Sequence, residues 1–145
     1  MRRLTLPIVV LALAIALAAC GSDEKKTSAI PTVVGEPTVT ATGLHMIDTQ
    51  AGSGAEAKEG DTITVQYTGY LEDGTIFDGP AIHGGPVQFA LSGLIPGWQE
   101  GIPGMKAGGK RRLIIPSDLG YGEAGQGQIP PNATLIFDIE LLDAQ

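Results

Sequence analysis

Little in this sequence is equipped for covalent or metal chemistry. Two His and one Cys among 145 residues are too few soft ligands for a zinc site. A single Cys also excludes a disulfide within the chain. Ser53, Ser92 and Ser117 lie outside any G-x-S-x-G elbow and have no evident base, so acyl-enzyme chemistry is poorly supported. Two phosphate-binding patterns occur on paper and fail on context. Gly120-Tyr121-Gly122-Glu123-Ala124-Gly125 spells G-x-G-x-x-G, but Gln126-Gly127-Gln128-Ile129-Pro130-Pro131 follows. That run cannot be the helix whose N-terminal amides would meet a pyrophosphate. Gly104 to Lys110 spells G-x-x-x-x-G-K, but Arg111 stands where Ser or Thr would hold magnesium. Glu72 and Asp73 read as a solvated turn, and His45 as a surface residue.

What remains is a small aromatic set: three Phe, three Tyr and one Trp. Against it stand 21 Gly, twice the usual share of about 7%. Such a chain is expected to be loop-rich and to use each ring with care. Its net charge of −7 argues against a nucleic-acid partner, which needs a basic face.

The elements that must position the rings are mostly strands. Thr62 to Tyr67 alternates polar and apolar residues strictly, the pattern of a half-buried strand. Asp73-Gly74 is a turn signal, and Thr75-Ile76-Phe77 resumes β character, so a hairpin is expected. Val87, Phe89 and Leu91 share one face of a further strand. Arg112 to Ile115 is another, stopped by Pro116. Leu135, Phe137, Ile139 and Leu141 share one face of the last. Leu94 to Ile102 is the one helix candidate, with Trp98 and Ile102 on one side. Pro116 to Asn132 reads as a long functional loop. The fold expected is α+β: a twisted antiparallel β-sheet of about five strands around one short α-helix.

The N-terminal third reads differently. Arg2 and Arg3 precede 12 apolar residues, Ile8 to Ala19, too few for a membrane span of about 20 but suited to a signal peptide. Leu17-Ala18-Ala19-Cys20-Gly21 resembles a bacterial lipobox, and the chain's one Cys sits at the cleavage point. Residues 1–19 are therefore expected to be a signal peptide, and Cys20 the lipidation site. The alternative is an ordinary signal peptide with an incidental Cys. Residues 20–42, rich in Thr, Ser and Pro, are expected to be a flexible linker, with Ile30 to Val34 a weaker candidate for an edge strand. Loss of Arg2 and Arg3 leaves seven basic against 16 acidic residues, so the mature protein should stand off anionic lipid on its tether. Residues 43–145 form the expected domain.

Four segments of that domain together resemble the FKBP-type immunophilin family of peptidyl-prolyl isomerases. They are Val65-Gln66-Tyr67-Thr68-Gly69-Tyr70-Leu71-Glu72-Asp73-Gly74-Thr75-Ile76-Phe77-Asp78, Leu94-Ile95-Pro96-Gly97-Trp98-Gln99-Glu100-Gly101, Tyr121-Gly122, and the stretch from Ile129-Pro130-Pro131 to Leu142. They occur in the family's order and spacing.

The resemblance implies a site. Tyr67, Phe77, Asp78, Trp98, Tyr121 and Phe137 would be catalytic, with Trp98 as the floor. Val87, Leu94, Ile95 and Ile129 would bind substrate, the Ile95 N–H and Tyr121 hydroxyl bonding carbonyls of the bound chain. Phe89 is expected in the core. The competing reading makes all these rings core alone. Many family members carry an Arg on the loop after the first hairpin, able to pair with the pocket aspartate, where this chain has His83. Gln126 stands near a position that is often His. The resemblance further implies proline-containing polypeptide clients, macrolide immunosuppressants as ligands, and no cofactor or metal. A monomer is expected, since nothing indicates an oligomer. With the lipobox, it implies an isomerase held outside the cytoplasm by its lipid at the bacterial cell membrane. The alternative function is a proline-segment binding module or chaperone with little turnover.

Overall fold

Strict alternation carries through into the longest strands. In a computed structural model, which describes residues 30–145, β3 (Thr62–Leu71) and β7 (Leu135–Ala144) each run ten residues. They pair antiparallel from Ile63 opposite Ala144 to Leu71 opposite Leu135. β6 (Lys110–Ile115) lies on the far side of β7, and β2 (His45–Gln50) beyond it. β1 (Thr38–Val39) closes that edge. The other edge of β3 is shared between two short strands. β4 (Ile76–Asp78) pairs with Gly69 and Tyr70, and β5 (Val87–Ala90) pairs with Thr62 to Val65. Between them the chain leaves the edge to form α1 (Pro80–His83).

The sheet therefore has seven strands where about five were expected. The two additional strands are β1 and β2. β1 is two residues long and both are exposed. β2 (His45-Met46-Ile47-Asp48-Thr49-Gln50) has no fully buried residue; backbone hydrogen bonds and the cross-strand Asp48–Arg111 ion pair hold it, which leaves little apolar pattern to read. β1 also lies within the segment read as linker, whereas Ile30 to Val34 forms no strand. The signal peptide and Cys20 lie outside the described residues. No helix among the described residues is long and apolar enough to cross a membrane.

The expected hairpin forms. Gly74 takes the left-handed conformation at φ 84°, and Asp73 Oδ1 accepts the Thr75 N–H at 2.9 Å. The expected helix forms as α2 (Pro96–Gly101), starting at Pro96 as a helix N-terminus permits. It packs on the inner face of the sheet over β6. Ile63, Val65, Leu113, Ile115, Leu135, Ile139 and Leu141 are fully buried there, with Leu44, Leu91 and Ile102. Two glycines one turn apart set the approach. A Cβ on Gly97 would lie 2.6 Å from Ile115 Cγ2, and one on Gly101 2.7 Å from Leu113 Cδ2.

On the opposite face, Arg112 is 6% exposed. It donates two hydrogen bonds of 2.6 Å to the Asp138 carboxylate and one of 2.7 Å to the Pro31 carbonyl. The segment before β1 is thus held on the outer side of the sheet.

Gly97→Ala is expected to lower stability by about 1 kcal/mol, because overpacking costs ~1–3 kcal/mol and Ala's better helix propensity offsets ~1 of that. Urea unfolding followed by Trp98 fluorescence measures it. An unchanged or higher midpoint would mean that α2 and β6 can separate freely.

Candidate functional site

The floor of the site is the Trp98 indole, placed by α2 and 3% exposed. Three rings meet it edge-on: Tyr67 at 4.9 Å between centroids, Phe137 at 5.2 Å and Phe89 at 6.1 Å. Interplanar angles of 87° to 90° are the edge-to-face arrangement that aromatic quadrupoles favour. Phe77 meets Phe137 edge-on as well, at 5.5 Å. Gly69 makes room for that pair, since a Cβ there would lie 2.8 Å from Phe77 Cζ and 2.9 Å from Phe137 Cε1.

These rings enclose a cavity of about 360 Å³. Tyr67, Phe77, Asp78, Phe89, Leu94, Ile95, Trp98, Tyr121, Gln126 and Phe137 line it, with Gly93. Tyr67, Trp98 and Phe137 belong to the buried core and also line the cavity.

The polar groups are few and fixed. The Tyr67 hydroxyl donates to Asp78 Oδ2 at 2.6 Å, and the Gly79 N–H donates to Oδ1 at 2.8 Å. Burial comes first in holding the Tyr67 hydroxyl protonated far above the usual tyrosine range, and its bond to Asp78 adds to that. Burial also raises Tyr121, as does the nearby Asp78 charge. Among the described residues the Tyr121 hydroxyl makes no hydrogen bond and the Ile95 N–H donates to no backbone carbonyl. The connection that presents Ile95 is tied down by Gln99 Nε2, which donates to the Leu94 carbonyl at 2.6 Å.

Tyr121 comes from the long connection between β6 and β7, which is folded rather than structureless. It opens with a 3₁₀ turn at Ser117–Leu119. The Gln126 and Ile129 backbones then exchange hydrogen bonds, and the Asn132 N–H returns to the Gly122 carbonyl at 2.9 Å. Gly125 has φ 65°, and a Cβ there would lie 2.4 Å from the Ile129 carbonyl oxygen.

Residues 54–142 match the sequence model of the FKBP-type peptidyl-prolyl cis-trans isomerases. The chain belongs to that family. FkpA of Escherichia coli strain K12 is 50% identical over 105 residues, 72% of this chain and 39% of its own length. The chain thus spans about two-fifths of that relative. An FK506-binding protein of Neisseria meningitidis serogroup B is 53% identical over 103 residues, 69% of this chain and 94% of its own. The crystal structure of Escherichia coli FkpA superposes with a TM-score of 0.72 at 48% identity, over 75% of this chain and 51% of that one. AtFKBP13 gives 0.70 at 39% identity, over 76% and 99%.

Within this FKBP-type domain, eight of the ten expected site residues line the one cavity. Val87 does not: it packs against the core without lining the cavity, and Phe89, two residues along the same strand, reaches it. Ile129 lies in an adjoining hollow whose walls include Phe77, Asp78, Tyr121 and Gln126. Among the described residues no cluster of three or more His, Cys, Asp and Glu could hold a metal ion.

All three tyrosines are shifted upward, burial being the largest cause in each. A raised tyrosine favours the folded state in its neutral form. That contribution is complete below the unfolded value near pH 10 and is lost as pH rises above it. Alkaline titration by tyrosinate absorbance is expected to show about half ionisation at pH 10 in urea-unfolded protein and far less in folded protein. Coincident curves would contradict the geometry described.

Proposed function

We propose that this chain is a peptidyl-prolyl cis-trans isomerase acting on X-Pro bonds of exported or envelope proteins, held outside the cytoplasm by a lipid on Cys20. The reading of the activity rests on one observation above all. An aromatic cavity has at its edge a hydroxyl and an amide that no group of the fold uses. Family membership supports the same reading. The lipobox at Leu17 to Gly21 supports the location.

The reaction asks little of a protein beyond such a cavity. Amide resonance sets a barrier of ~18–20 kcal/mol to rotation. For X-Pro the two end states differ by only ~0.5–1 kcal/mol, yet exchange takes tens of seconds or more. The planar amide is the more charge-separated form and the twisted amide the less. An apolar enclosure by Tyr67, Phe77, Phe89, Trp98 and Phe137 disfavours the planar form relative to the twisted one. The Ile95 N–H and Tyr121 hydroxyl would hold the flanking carbonyls in the twisted geometry, so that binding is strongest at the transition state. Tyr67 cannot share in this, because its one proton is committed to Asp78. No bond to the protein forms and no proton is transferred. Macrolide immunosuppressants are ligands of the same cavity under this reading, and the domain acts as a monomer.

An isomerisation assay on an apolar-X-Pro-Phe peptide tests the proposal. The protein should accelerate exchange. Tyr121→Phe should lower kcat/KM about fivefold, the worth of one ~1 kcal/mol hydrogen bond, with an unchanged unfolding midpoint. Uncatalysed rates from folded protein would overturn the isomerase reading. Macrolide or proline-peptide binding without turnover would assign the domain to the binding modules.

A further inference from the structure

The pocket carboxylate has a third neighbour besides Tyr67 and Gly79. His83, the last residue of α1, places Nε2 3.4 Å from Asp78 Oδ1. Its Nδ1 lies 3.0 Å from the Gly85 carbonyl oxygen. That oxygen only accepts, so Nδ1 must carry a proton to bond it. Nε2 is buried and has no hydrogen-bond partner. A neutral ring protonated at Nδ1 would turn a bare lone pair towards the carboxylate. A neutral ring protonated at Nε2 would turn one towards the carbonyl. Only the imidazolium presents a proton to both acceptors.

The surroundings allow this ring to matter. Asp78 on β4, the Tyr67 hydroxyl on β3 and the Tyr121 hydroxyl on the β6–β7 connection are the titratable groups about it. Among the described residues no Lys or Arg forms an ion pair with Asp78. The His83 ring also packs on Tyr67, with centroids 5.2 Å apart, and so touches both members of the Tyr67–Asp78 hydrogen bond. α1 itself is only four residues long and hangs between Gly79, at φ 150°, and Gly84, at φ 81°. A segment joined to the sheet through two glycines needs side-chain contacts to fix it, and the His83–Asp78 contact spans from its end to β4.

We propose that His83, in its doubly protonated form, is the positioning residue for Asp78 and makes the pocket's polar wall responsive to pH. The proposal rests on the isomerase reading only for its effect on turnover. Imidazoles change charge between pH 5 and 8. Below that change the carboxylate is held by Tyr67, Gly79 and His83. Above it the third hold is lost, and Asp78 and α1 both gain freedom beside the cavity.

Protease-free isomerisation kinetics from pH 5.5 to 8, on wild type, His83→Arg and His83→Gln, test this. Wild-type kcat/KM should fall about threefold as pH rises, the size expected for a partly exposed ion pair. His83→Arg, a permanent cation, should keep the acid-side rate across the range. His83→Gln should stay low and flat. Wild type and His83→Gln with the same profile would overturn the proposal. A second readout needs no turnover: side-chain ¹⁵N spectra, simple because the chain has only two His, together with the Asp78 carboxyl ¹³C signal. Both ring nitrogens of His83 should be protonated on the acid side, and the Asp78 signal should move with the same titration. An Asp78 signal indifferent to His83 would overturn the proposal at any level of activity. A linked titration in a protein without turnover would fail the isomerase reading and leave His83's hold on Asp78 standing.

Discussion

The indole of Trp98 is the surface on which the rest of this site is built. Three rings from three different strands stand edge-on against it, Tyr67 from β3, Phe89 from β5 and Phe137 from β7. Each such pair is worth ~0.5–1.5 kcal/mol beyond its buried area. The platform has to sit close to the sheet for rings of that length to reach it without filling the space between them. Gly97 and Gly101 provide the closeness, since side chains there would strike Ile115 and Leu113. The glycine that weakens α2 as a helix is therefore what lets α2 act as a floor. A stronger helix would be held farther from β6, and its Trp98 would lose contact with the walls.

The second requirement is an opening, and the interrupted edge of β3 supplies it. A continuous strand from residue 76 to 90 would run along the full length of β3. Instead β4 ends at Asp78, α1 leaves the edge, and β5 resumes at Val87. The break places a carboxylate next to aromatic walls, where an unsatisfied polar group would be costly. Its partners answer that cost. The Tyr67 hydroxyl, itself buried, would be just as costly unpaired, so the 2.6 Å bond satisfies both at once. Among the described residues the Tyr121 hydroxyl, the Ile95 N–H and the indole N–H of Trp98 are left around the cavity without a hydrogen-bond partner.

How much of this could be read beforehand depends on what each element spends its side chains on. β3, β6 and β7 bury one face, and burial writes alternation into the sequence. β2 only half-buries Met46 and Ile47 and β1 is two residues long, so neither leaves a clear pattern. α1 is a single turn between glycines, too short to show a period. The two members of β5 illustrate a finer limit. Val87 and Phe89 point to the same side, and alternation cannot say which enters the cavity. Side-chain length decides it: the phenyl ring of Phe89 reaches the indole 6.1 Å away, and Val87 stops short. Tyr121 was legible only through family resemblance, because its loop is organised by backbone hydrogen bonds among Ser117, Gly122, Gln126, Ile129 and Asn132 rather than by side-chain pattern.

The outer face of the sheet carries a consequence for orientation. Along β6 and β7 successive side chains alternate between faces. Leu113 and Phe137 point inward to α2 and the cavity, so their neighbours Arg112 and Asp138 point outward. It is to this outward pair that the Pro31 carbonyl is bound. The Asp138 carboxylate fixes the Arg112 guanidinium through two hydrogen bonds, so the group that holds Pro31 is itself held. The chain therefore reaches the domain from behind the sheet, while the cavity lies on the side of α2. Pro31 thus meets the domain at the face turned away from the cavity.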